Sequence, residues 1–156
     1  MRVNRRLLAV LTLVAVLAAL VVTTPAGATD ESGAKCTVAT VLKAGNEVPP
    51  SGSKAFGAAL VHVNGSKLFF SVAIVNPARE SFFAGHIHEG AAGVNGPVRV
   101  TLFTGSTDRK LIVQAARLDI DPALGKAICA DPAGYYINYH TTDFPGGAVR
   151  GQLAGV

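Results

Sequence analysis

The stretch "KAFGAALVHVNGSKLFFSVAIV", Lys54 to Val75, decides the fold class. Apolar residues recur with period two on both sides of Asn64-Gly65. In the second half Leu68, Phe70, Val72 and Ile74 fall on one face of an extended chain. An Asn-Gly pair between two such runs is a strong two-residue hairpin signal. The segment therefore reads as two antiparallel strands, Lys54 to Val63 and Lys67 to Val75.

The same alternation extends outward. "KCTVATVLKA", Lys35 to Ala44, reads as a strand, and "GNEVPPSGS" after it as a loop, because Pro49-Pro50 supplies no ladder donors. Further strands are expected at Phe82 to His88, Pro97 to Phe103, Leu111 to Leu118, Tyr135 to Thr141 and Ala148 to Leu153, about eight in all. "DIDPALGKAICADPAG" has room for one short helix, started near Asp121-Pro122 and stopped by Gly125 or by the second Asp-Pro. Short strands between Gly and Pro turns indicate an all-β, antiparallel sandwich or barrel.

The chain begins with Arg2, Arg5 and Arg6, an uncharged apolar run from Leu7 to Val22, and Ala26-Gly27-Ala28. This is the layout of a secretory signal peptide, residues 1–28, with cleavage expected after Ala28; the rival reading is an uncleaved anchor. Residues 29–34 read as a flexible leader and 35–156 as one domain. The expected location is secreted or extracytoplasmic, with no stable membrane insertion once the signal is removed. Three of the fourteen Lys and Arg lie in the signal and all ten Asp and Glu lie beyond it, so the remainder carries a net charge of +1. With no basic cluster interleaved with aromatics, nucleic acid is not an expected partner. Export also predicts that the two cysteines, Cys36 and Cys129, form a disulfide.

Two of the four histidines stand in "FFAGHIHEGAAGVNGPVRV". Residues two apart on a strand share a face, so His86 and His88 project together while Ile87 points the other way. A third ligand is offered by His140 in "YYINYHTTDFPGG", which shares its face with Asn138 and Tyr136. Three imidazoles suit copper or zinc. The competing reading makes the same histidines pins for the loops "EGAAGVNGP" and "TTDFPGG". His62 is expected at the surface beside the hairpin, outside the site. No Ser lies in a Gly-x-Ser-x-Gly elbow and both cysteines are expected to be oxidised, so nucleophilic catalysis has no support.

Three blocks, "LKAGNEVPP", "AGHIHEGAAGVNGPVRVTLF" and "YYINYHTTDFPGGAVRGQL", match in order and resemble the chordin-domain (CHRD) family over Leu42 to Leu153. Glu47 falls in the first block without an assigned role. The resemblance implies an extracellular β-rich binding module whose partner is an extracellular protein or envelope component; it supplies no reaction.

A weaker likeness connects "AGHIHEG" and "HTTDFPGGAVRGQLAGV" with copper–zinc superoxide dismutases. It implies a Greek-key β-sandwich, superoxide dismutase-like or immunoglobulin-like. It also implies His86, His88 and His140 as copper ligands and Arg150 at the mouth of the site, attracting an anion, with Asp143 and Asn138 around it; alternation with Gln152 leaves the Arg150 guanidinium free to meet Asp143, a loop carbonyl or an incoming anion. Between His88 and His140 the sequence has no histidine, so a zinc site is not expected. The alternative function is thus a copper-binding protein lacking zinc.

Overall fold

The computed structural model describes residues 33–156; the expected signal peptide lies outside the described residues. The elements are β1 (Lys35–Lys43), β2 (Phe56–Asn64), β3 (Lys67–Val75), β4 (Phe82–Glu89), β5 (Val98–Thr107), β6 (Leu111–Asp119), α1 (Pro122–Ala130), β7 (Tyr135–Thr141), β8 (Val149–Gln152) and β9 (Ala154–Gly155). Among the described residues, no helix is long and apolar enough to cross a membrane.

The all-β, antiparallel expectation holds, with one difference of architecture. The strands hydrogen-bond into a single nearly closed sheet in the order β5-β4-β7-β8-β1-β2-β3-β6, with β9 added to β1, and not into two separately bonded sheets. Strand β5 runs four residues past Phe103 to Thr107, and the expected last strand divides into β8 and β9 around Leu153.

The β2–β3 hairpin forms, but its two turn residues are Gly65 and Ser66, and Asn64 pairs with Lys67. Gly65 has φ +58 and Ser66 is not among the residues of positive φ, the pattern of a type II′ turn. Because the pleat has period two, the inward face remains Leu68, Phe70, Val72 and Ile74, all buried. They join Val38 and Leu42 of β1, Val61 of β2, Ile87 of β4, Ile137 and Tyr139 of β7, and Val149 of β8 in one core.

Helix α1 starts where expected: Asp121 caps it by accepting the Ala123 N–H at 2.8 Å, and Pro122 is its first residue. Gly125 does not stop it. The helix continues to the second Asp-Pro and buries Leu124 and Ile128. The Cys36–Cys129 disulfide joins β1 to this helix, with Cα atoms 5.5 Å apart.

Strand β4 carries a feature that its alternation conceals. Phe82 pairs with Thr141 and Ala84 with His140, so two steps along β4 match one step along β7, and Phe83 is the extra residue of a β-bulge. Phe82 and Ile87 are five residues apart, an odd separation, yet both are fully buried. The bulge reverses the parity between them and sends His86 and His88 outward. Gly85 turns inward against Tyr139, where a Cβ would lie 2.4 Å from the ring.

Two outcomes are expected. Replacing both cysteines by alanine should lower the unfolding free energy by on the order of 4 kcal/mol, because the bond closes a loop of sequence separation 93. Gly85→Ala should cost about 1–3 kcal/mol by overpacking the buried Tyr139. Denaturant titration measures both.

Candidate metal centre

The register of β4, β7 and β8 builds the site. His86 pairs with Asn138, His88 with Tyr136, and Ala84 with His140, which places His140 diagonal to His86 on the same outer face. On β8, Arg150 pairs with Asn138 and Gln152 with Tyr136. The three histidines expected to converge do so. One ligand-type atom from each lies within 4.8 Å of the others, and ring centroids are 5.1 Å apart for His86–His140 and 5.5 Å for His86–His88.

The hydrogen bonds assign the ring protons. His88 Nδ1 lies 2.9 Å from the Gly96 carbonyl and His140 Nδ1 2.9 Å from the Pro145 carbonyl. A carbonyl only accepts, so in both rings Nδ1 carries the proton and Nε2 presents a lone pair. His140 Nε2 is 3.2 Å from His86 Nδ1. His88 Nε2 is buried and, among the described residues, has no hydrogen-bond partner.

All three rings are held in the neutral form. Burial, followed by the neighbouring His140 and His88, lowers His86 to about 4. Burial also lowers His88 and His140, against the opposing carbonyl bonds from Gly96 and Pro145. Neutral imidazole is the form that ligates metal.

Arg150 stands beside the cluster as expected, but not at an open mouth. It is 1% exposed. Its guanidinium donates to Asn95 Oδ1 at 3.1 Å, to Ala91 O at 3.1 Å and to Val94 O at 2.8 Å, and its Cζ lies 3.4 Å from the Tyr136 ring centroid. Of the three partners expected for its guanidinium, Asp143, a loop carbonyl or an incoming anion, it meets loop carbonyls, and these donors hold the loop between β4 and β5. Tyr136 in turn stacks on His88, with centroids 4.8 Å apart and an interplanar angle of 9°, and its hydroxyl accepts the Gly96 N–H at 3.1 Å. Asp143 is exposed on the bend after β7, and among the described residues nothing bonds it to Arg150 or the histidines. His62 sits away from the cluster on β2, bonded to Thr37 Oγ1 at 3.0 Å.

The residue that sequence reasoning left without a role is Glu47. It follows the short 3-10 turn Ala44–Asn46, is 4% exposed, and accepts from Asn138 Nδ2 at 3.1 and 2.9 Å. Gly147, at φ +144, makes room for it: a Cβ there would fall 2.4 Å from Glu47 Oε2. Burial raises the Glu47 carboxyl to about 7, against the charge of Arg150 and the Asn138 bond. The only available hint was its place in a matching block; nothing local to "GNEVPP" shows that it packs under a strand ninety residues later.

Fold and site together define a disulfide-bonded, all-β domain with a histidine cluster on the loop-covered face of its sheet. The CHRD domain family model matches residues 38–153, and the chain belongs to that family. Neither the curated proteins nor the solved structures give a match to it.

The Glu47 carboxyl, at 4.5 in its ordinary state and about 7 when folded, sets a pH dependence. Between those values the native state keeps a proton that the unfolded chain has lost. Its contribution is therefore fully present below about pH 4.5 and is lost as pH rises through about 7. Glu47→Gln removes this term while the histidines titrate in both proteins. The stability of the variant relative to the parent should rise from pH 5 to pH 8 in chemical unfolding, and a pH-independent difference would contradict the assignment.

Proposed function

We propose that this CHRD domain is an extracytoplasmic metal-binding module that holds one copper ion through His86 Nδ1, His88 Nε2 and His140 Nε2. The observation that carries the reading is the orphaned His88 Nε2. A histidine serving only as a loop pin needs its Nδ1 bond to Gly96 and nothing more, yet here the second nitrogen is buried and deprotonated in a ring that clusters with two other imidazoles. Buried polar atoms without partners are rare enough to demand a reason, and a bound cation supplies one. The carbonyl bonds to Nδ1 of His88 and His140 are the outer-shell partners that fix tautomer and ring direction in metal sites.

The geometry supports the same reading. Two ligand nitrogens 3.2 Å apart match a shared ion at about 2.0–2.1 Å from each with an N–metal–N angle of about 100°. His86 would carry its proton on Nε2 in that state. Copper is favoured over zinc by the donor set. Imidazole serves both, divalent affinity peaks at copper, and among the described residues the cluster contains three histidines and no fourth Cys, Asp or Glu to close a structural zinc site. The disulfide fits an oxidising compartment, where the signal-like segment would deliver the domain. No catalytic step is assigned. A protein or envelope partner remains part of the proposal through the family.

The test is copper stoichiometry after loading and challenge with a weak chelator, with electron paramagnetic resonance to detect nitrogen ligands. One copper per chain is expected, and His88→Ala or His140→Ala should weaken binding by more than about 100-fold. If the histidines are only pins, His140→Ala leaves metal content unchanged and lowers stability by about 1–3 kcal/mol, and the proposal fails.

A further inference from the structure

Arg150 is a buried cation whose charge nothing neutralises among the described residues. The acceptors its guanidinium meets there are all neutral: Asn95 Oδ1, Ala91 O and Val94 O. The ion pairs of the described residues are Lys67–Asp119, Arg79–Asp108 and Arg99–Glu89, none of which involves it. Glu47 is near enough to feel the Arg150 charge, but burial pushes that carboxyl up to about 7, so in mildly acidic solution it is mostly protonated. A charge taken out of water without a counter-charge is costly. Holding loop carbonyls does not require one, since the neutral amide of Gln152, two residues on, donates to three of them, Gly90 O, Ala133 O and Tyr135 O.

The charge stands against the histidine cluster. Strand β7 lies between β4 and β8, so Tyr136 has His88 on one side and the strand of Arg150 on the other. The guanidinium Cζ is 3.4 Å from the Tyr136 ring centroid, and that ring stacks on His88 at 4.8 Å. These two separations hold the cation within about 8 Å of the His88 ring, across an aromatic side chain. Burial is the main cause that keeps His88 below its ordinary value, and against the Gly96 bond the Arg150 charge adds to it, so the cation is felt at that ring.

We propose that Arg150 selects the oxidation state of the ion, so that the cluster holds copper(I) more tightly than copper(II), a preference that rests on the copper reading of the site. Three neutral imidazoles bring no negative charge, and among the described residues the cluster contains no carboxylate or thiolate. Copper(II) therefore sets two positive charges beside the fixed one, and copper(I) sets one. With the ion roughly 11 Å from the guanidinium and an effective dielectric of about 20, the additional repulsion disfavours copper(II) by about tenfold.

Anaerobic competition on the full chain, against bicinchoninate for copper(I) and glycine for copper(II), measures the ratio of the two affinities. It is run near pH 6, where Glu47 is mostly protonated. Asn95→Asp is the decisive variant. Its carboxylate keeps the acceptor that Arg150 already uses and neutralises the charge, losing only an exposed bond to Val48 O. The copper(I)-to-copper(II) ratio should fall by about threefold or more, less than for removal of the cation because Asn95 is exposed and its charge is screened. Arg150→Gln should lower the ratio about tenfold, equivalent to a drop of about 59 mV in reduction potential. Asn95→Ala loosens the same loop but leaves the cation, and should keep the parent ratio. Circular dichroism shows which variants fold; should Arg150→Gln fail to do so, the two Asn95 variants decide. A parent that prefers copper(II), a ratio unmoved by Asn95→Asp, or one that Asn95→Ala moves as far, overturns the proposal and leaves the copper reading standing. A chain that binds neither ion overturns both.

Discussion

One extra residue in β4 sets the two faces of the molecule. Had the strand alternated without interruption from Phe82, the side chains of His86 and His88 would share its face and enter the core, displacing Ile87. The bulge at Phe83 inverts the pleat, and the consequences run in both directions. Inward, Phe82, Gly85 and Ile87 meet Tyr139 and Ile137. Outward, the histidines reach the face of Asn138 and His140. Neither the core nor the cluster is attainable without that change of parity.

The covered face is a continuous polar construction in which each group constrains the next. Arg150 holds the carbonyls of Ala91 and Val94 and the side chain of Asn95, while Asn95 Nδ2 reaches Val48 O at 2.8 Å and ties down the segment after Glu47. Gln152 adds Gly90 O at 2.7 Å. The loop so fixed presents Gly96 O to His88 and Gly96 N–H to Tyr136. Burying this many polar groups is tolerable because nearly all are satisfied; among the described residues the side-chain exceptions on this face are His88 Nε2 and Asn138 Oδ1. The rigidity of the network is what holds one imidazole nitrogen without a partner.

Much of this was legible in the sequence, for reasons that are local. The β2–β3 hairpin follows from alternation around a glycine turn, and the common face of His86 and His88 follows from their spacing. His140 was placed by its position in a matching block, and the cysteine pair by compartment and number. What escaped depends on partners distant in the chain. A bulge exists only relative to the neighbouring strand, so "FFAGHIH" cannot announce it. Glu47 meets Asn138 across a separation of 91 residues. The burial of Arg150 is decided by a loop more than fifty residues earlier, and the closing of all strands into one sheet by their lateral order, which period-two patterning does not encode.

The disulfide also divides the domain mechanically. Tension applied between the two ends of the described chain would pass from the first residues of β1 across Cys36–Cys129 into the last 27 residues, bypassing the 92 residues between the cysteines. With the bond intact, extension is limited to roughly 95 Å of released chain at about 3.5 Å per residue. The load falls on β7, β8 and β9. His140 and Arg150 lie in that tensioned segment, whereas His86 and His88 lie in the shielded one. Stretching would therefore draw His140 away from His86 and His88 while the strands between the two cysteines stay shielded from the load.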